Sequence, residues 1–135
     1  MSSSPSEPPS LGATARGAEL SVPSVPRSVA SVRHFARAAC GGLPRGTADT
    51  VELLVSEIAT NALVHGAGEV RVRVNVSGGT VRVEVDDGGI ALPTLREASP
   101  TAEGGRGLAL VAAMSSGWGV APRPGGKTVW FEVQG

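Results

Sequence analysis

The stretch Glu57-Ile58-Ala59-Thr60-Asn61-Ala62-Leu63-Val64-His65-Gly66 decides how the rest of the chain is read. It lies late in a helical pattern that starts near Thr47. At about 100° per residue, Val51, Leu54, Val55, Ile58 and Ala62 share one apolar arc. Glu57 and Asn61 stand one turn apart at the edge of that arc, where a buried face meets an open one. An ordinary helix margin accounts for such a pair equally well, because Glu favours helices and Asn is only mildly unfavourable in them. What lies on either side of the helix decides between the two.

Downstream comes a hairpin. Val70, Val72, Val74 and Val76 alternate with Arg71, Arg73 and Asn75, Ser77-Gly78-Gly79 turns the chain, and Val81, Val83 and Val85 alternate with Arg82 and Glu84. Each strand is apolar on one face only, so the spacing predicts an antiparallel sheet covered on one side. Upstream, Val29, Val32, Phe35, Ala36 and Ala39 recur at helical spacing, framed by Pro26 and by Gly41-Gly42. Thr47 or Asp49 is placed to cap the second helix, and Gly66 and Gly68 to end it. Ala18 to Val22 reads as a short first strand. Asp86 to Glu103 is a long irregular segment with Pro93 and Pro100, the kind that is usually functional or mobile. A third helix is expected from Gly105 to Met114, then strands Trp118–Ala121 and Lys127–Val133. The predicted class is α+β: a two-layer sandwich with helices on one face of a mainly antiparallel sheet. Residues 1–17, rich in Ser and Pro, read as a disordered tail before one domain over 18–135.

Composition removes several function classes. A chain of 135 residues is one domain with a real core. Lys plus Arg and Asp plus Glu number 12 each, so no charge bias points to nucleic acid or to membrane lipid. Two Phe, two Trp and no Tyr leave little for stacking on bases. The single cysteine, Cys40, excludes an internal disulfide and a Cys-based zinc site, and its place at the end of an apolar pattern makes it a small buried filler. No apolar run reaches membrane-spanning length and the N-terminus lacks a signal-peptide pattern, so the expected location is cytoplasmic.

Two motifs fail on inspection. Gly126-Lys127-Thr128 resembles the end of a phosphate-binding P-loop, but Ala121 stands where its first glycine belongs and a strand follows instead of a helix. Gly105-Arg106-Gly107 has Leu110 in place of the third glycine of a dinucleotide fingerprint, with no βαβ unit around it. Three features remain. The first is Glu57 with Asn61. The second is Val83-Glu84-Val85-Asp86-Asp87-Gly88-Gly89, where a carboxylate at a strand end can accept a hydrogen bond from a ligand amino group such as adenine's, and glycine lets the backbone come close; a solvated Asp-Gly turn is the plainer alternative. The third is Gly104-Gly105-Arg106-Gly107-Leu108, whose free N–H groups, positive helix end and arginine favour a phosphate; a flexible helix start is its plainer alternative.

Together, S-E-I-A-T-N-A-L-V-H-G, V-E-V-D-D-G-G and G-G-R-G-L-A-L-V resemble the N, G1 and G2 boxes of the GHKL ATPases, in order and at fitting spacing. Within that superfamily the chain is most similar to the short bacterial anti-sigma-factor serine kinases and their single-domain relatives, including the ending W-G-V…P-G-G-K-T-V-W-F-E. The resemblance implies a Bergerat-type ATP site between helices and sheet. Asn61 matches the residue that holds Mg²⁺, and Glu57 the acid that activates the attacking group. The pattern V-x-V-x-D-x-G selects Asp87 with Gly89, rather than Asp86, for adenine; a further glycine of the family pattern is replaced by Ala91. Gly105, Arg106, Gly107 and Leu108 would meet the phosphates, and Ile90 to Glu103 would form a lid. Lys127 and Thr128 either face the nucleotide or open the last strand, and His65 reads as structural.

The activity so implied is ATP- and Mg²⁺-dependent serine/threonine phosphorylation of a small anti-anti-sigma-like partner, with capture of a sigma factor alongside and homodimers by family precedent. The alternative is a regulatory module that holds ATP and a partner protein without transferring phosphate.

Overall fold

The computed structural model describes residues 16–65, 68–88 and 103–135, with side chains for all of these except 64, 65 and 103–106. The elements are β1 (Arg16–Pro23), α1 (Ser28–Ala39), α2 (Arg45–His65), β2 (Glu69–Ser77), β3 (Thr80–Asp87), α3 (Glu103–Met114), β4 (Gly117–Arg123) and β5 (Gly126–Gln134). The strands form one sheet in the order β1-β2-β3-β5-β4, and each neighbouring pair is antiparallel. This is the α+β sandwich that the alternating valines predict.

A tight turn sets the register of β2 against β3. Ser77 pairs with Thr80 across Gly78 and Gly79, whose φ values are 60° and 87°, the left-handed pair that a two-residue hairpin requires. Alternation then assigns the faces. Val70, Val72, Val74 and Val76 of β2, Val81, Val83 and Val85 of β3 and Val129, Phe131 and Val133 of β5 are buried, while the residues between them face away from the helices. Against this apolar face α2 lays Val51, Leu54, Val55, Ile58, Ala59 and Ala62, all buried, and α1 adds Val32 and Ala36. The predicted arc of α2 is therefore its core face. Pro122 lies in β4 and Pro23 ends β1, the two outermost strands, where a missing N–H breaks no ladder within the sheet.

The boundaries differ from expectation at several ends. Helix α2 begins two residues before Thr47: the Ala48 N–H donates to the Pro44 carbonyl at 3.2 Å, so Pro44 holds the capping position. Neither Thr47 nor Asp49 caps it; Asp49 instead pairs with Arg37 of α1 at 2.8 Å. Strand β1 takes in Arg16 and Gly17, where a Cβ would lie 2.5 Å from Oδ1 of Asn75 on β2. Cys40 is 2% exposed and burial pushes its thiol pKa up, which fits the filler role. No helix is long and apolar enough to cross a membrane among the described residues. The N-terminal tail before Arg16, Gly89 and most of the expected lid lie outside the described residues.

Candidate functional site

Glu57 and Asn61 are half-buried on α2, at the margin of its core face. With Ile58 they line a small cavity that Gly107 and Leu108 of α3 and Val129 of β5 complete. Its volume is about 10 Å³, room for about one water. The α2–α3 contact is close because residue 107 has no side chain. A Cβ there would stand 3.2 Å from Cβ and 3.3 Å from Oε1 of Glu57. The glycine of the third sequence feature and the glutamate of the first, fifty positions apart, thus meet directly. The backbone of Gly105 and Arg106 lies in the first turn of α3, so both residues open the helix as expected; the Arg106 side chain lies outside the described residues.

Asp87 is the last residue of β3 and continues the inward phase of Val83 and Val85; it is 1% exposed. Its strand partner on β5 is Lys127, itself 2% exposed and in phase with Val129 and Phe131. The ammonium Nζ donates to Oδ1 of Asp87 at 2.9 Å. Two opposite charges that would each be costly alone therefore neutralise one another on the apolar side of the sheet. Removing one partner of such a pair costs about 3–5 kcal/mol, because the other charge stays buried. One rung further along the same face stand Val85 and Val129, and Val129 is a wall of the cavity described above. Asp87 itself does not line that cavity; it belongs to the adjoining rung.

The register that brings the pair together rests on Gly126. A Cβ at this position would fall 1.9 Å from the carbonyl oxygen of Asp87, closer than any side chain tolerates. In the sequence Gly126 belongs both to the rejected P-loop match and to the P-G-G-K-T ending; the structure makes it the contact that lets β5 start beside the end of β3.

Asp86 points the other way. Its carboxylate takes both oxygens' worth of Arg73 Nη2 at 2.8 Å, accepts from the Thr128 hydroxyl at 2.5 Å and lies 4.0 Å from Arg123 Nε. Thr128 therefore faces away from Glu57 and Asn61, and of the two readings of Lys127 and Thr128 the inward one fits only Lys127. The outward face continues as a ladder of charges, with Arg82 bound to Glu84 and Glu132 at 2.9 Å each and lying 4.2 Å over the ring of Trp130.

The sequence carries a signal for this pair that the nucleotide and strand-start readings of Lys127 both leave out. In Lys127-Thr128-Val129-Trp130-Phe131-Glu132-Val133 the lysine occupies an inward position, and a charge there needs an opposite partner. Asp87, inward at the end of its own strand, is that partner.

Asn61 offers a carboxamide oxygen, a hard donor of the kind Mg²⁺ takes. No group of three or more His, Cys, Asp or Glu able to hold an ion exists among the described residues. A donor set this sparse fits Mg²⁺ only where phosphate and water supply the remaining oxygens, which is how that ion is commonly held.

Comparison with known proteins bears on the fold and the family. A family model described as a histidine kinase-like ATPase domain matches residues 22–133. No curated protein sequence matches the chain. Among solved structures, the RsbU and RsbW domains of a Mycobacterium tuberculosis protein superpose with a TM-score of 0.67 at 19% identity, over 88% of this chain and 32% of that one. At that identity the likeness is one of fold. The histidine kinase domain of a blue-light activated histidine kinase from Erythrobacter litoralis gives 0.54 at 26% identity, over 80% of this chain and 58% of that one. A second structure of that kinase gives 0.58 at 25% identity, over 84% and 42% respectively. The chain thus spans between about a third and three fifths of the chains it resembles.

Proposed function

Because this chain belongs to the histidine kinase-like ATPase domain family, within the GHKL superfamily, we propose that it binds ATP with Mg²⁺ and phosphorylates a serine or threonine of a small anti-anti-sigma-like protein. The observation that carries this reading is the contact of Glu57 with Gly107 beside Asn61, in one cavity walled by β5. It puts a carboxylate next to the opening turn of α3, where the N–H groups suit a phosphate.

The residues divide the work. Asp87 accepts a hydrogen bond from the adenine amino group, and Gly105 to Leu108 hold the phosphates with Arg106. Asn61 would hold Mg²⁺, which when bound spreads the charge of the phosphates. Glu57 orients the partner's hydroxyl and accepts its proton as the oxygen bonds the γ-phosphorus and the bond to the ADP oxygen breaks. Sigma-factor capture and homodimerisation are part of the same proposal, supported by the resemblance to anti-sigma-factor kinases.

Incubation with γ-labelled ATP and candidate partners tests the reading. Wild-type protein labels its partner, and Glu57→Ala loses transfer about 100-fold or more while keeping ATP affinity. ATP binding with no transfer to any partner in wild type would favour the alternative, a nucleotide-dependent switch that captures its partner without modifying it.

A further inference from the structure

Lysines in nucleotide sites are ordinarily read as phosphate grips. Lys127 is not placed as one. The phosphate end of the proposed site is marked by Gly107 packed on Glu57, whereas the register sets Lys127 opposite Asp87, the next inward-facing rung after Val129, at the end assigned to the base. Its side chain is 2% exposed, and the ammonium meets Oδ1 of Asp87 at 2.9 Å. An ammonium carries three N–H donors. Among the described residues Asp87 is the only acceptor bonded to it. A buried cation with donors to spare, locked to the carboxylate assigned to the base, points to an acceptor on the ligand.

We propose that Lys127 reads the base together with Asp87: the carboxylate accepts from the exocyclic amino group of adenine, and the ammonium donates to the neighbouring ring nitrogen N1. This deepens the ATP-binding reading and rests on it. Separating a buried ion pair costs more than a base-edge contact returns, so the nucleotide binds with the pair intact. An intact pair presents an acceptor and a donor side by side, and the amino-pyrimidine edge of adenine presents a donor and an acceptor side by side in the complementary sense. Gly126 sharpens the fit, since its missing side chain fixes the start of β5 against the Asp87 carbonyl and so fixes where Lys127 can reach. Lys127 is thereby a specificity-determining residue, distinct from the groups at the phosphates.

The test compares ATP with 1-deaza-ATP, in which a C–H replaces N1, by calorimetric titration of the wild-type chain and of Lys127→Met. Wild type should bind the analogue about 10- to 100-fold more weakly than ATP, the range for losing a hydrogen bond to a charged group. Lys127→Met should bind the two ligands within about threefold of each other, both weakly. Lys127→Gln, which keeps a neutral donor, should recover part of the discrimination.

Equal binding of the two ligands by wild type overturns the proposal without any variant, so a poorly folded Lys127→Met would not shield it. Tighter ATP binding by Lys127→Met overturns it differently, by making the ammonium a plug that the base must displace. Discrimination that persists unchanged in Lys127→Met also overturns it. Failure of the folded wild type to bind ATP at all would instead remove the nucleotide reading on which the proposal stands.

Discussion

Asp86 and Asp87 are neighbours in the chain and almost equally buried, at 5% and 1% exposed, yet they belong to different halves of the molecule. Strand alternation sends Asp86 to the face away from the helices, into a cluster with Arg73, Thr128 and Arg123. It sends Asp87 to the helix face, where Lys127 meets it. The outward carboxylate has many partners and ties strands together. The inward one pairs with Lys127 on the apolar side of the sheet, next to the cavity that Glu57 and Asn61 line. Burial by itself therefore says little about role; what surrounds the buried charge, and which face it occupies, says more.

The strongest way to break this contrast is to move the strand that carries Lys127. Gly126→Val should destabilise the fold by about 3 kcal/mol or more, since even its Cβ collides with the Asp87 carbonyl, and a thermal melt checks it. Next comes the pair itself. Asp87→Asn should weaken ATP binding about 30-fold or more by calorimetry, whereas Asp86→Asn should leave affinity within about threefold and lower stability by about 1–3 kcal/mol through Arg73. Equal small effects of the two on affinity would put the base on neither residue. A subtler change is Gly107→Ala, whose methyl presses on Glu57; it should slow phosphoryl transfer more than it reduces stability, which labelled-ATP assays and a melt on the same sample compare. The smallest effect is the control Gly46→Ala in the first turn of α2, where a Cβ meets nothing within 4 Å: stability should hold or rise by about 0.5–1 kcal/mol, with no change in binding.

Much of this arrangement is legible in the sequence because period-2 and helical patterns are local. The valines of β2 and β3 give the sheet and its covered face, and the same alternation separates Asp87 from Asp86 without coordinates. The apolar arc of α2 places Glu57 and Asn61 at the margin where they are found. What escaped is non-local. Nothing in a strand's own residues tells that β5 inserts between β3 and β4, so the Asp87–Lys127 rung, 40 positions apart, and the need for glycine at 126 appear only with the register. The start of α2 escaped for a different reason: the residue at its capping position, Pro44, has no side-chain acceptor and so carries no capping signature.

The account stands on one nucleotide meeting α2, the end of β3 and the start of α3 together. Amide chemical shifts followed by two-dimensional NMR during titration with ATP and Mg²⁺ test it most directly. The account predicts that the amides of Asn61, Asp87, Gly107 and Lys127 shift along a common saturation curve while those of Arg82 and Glu132, on the opposite face, stay in place. Shifts confined to the outward face, or curves with different midpoints at Asn61 and Asp87, would contradict it.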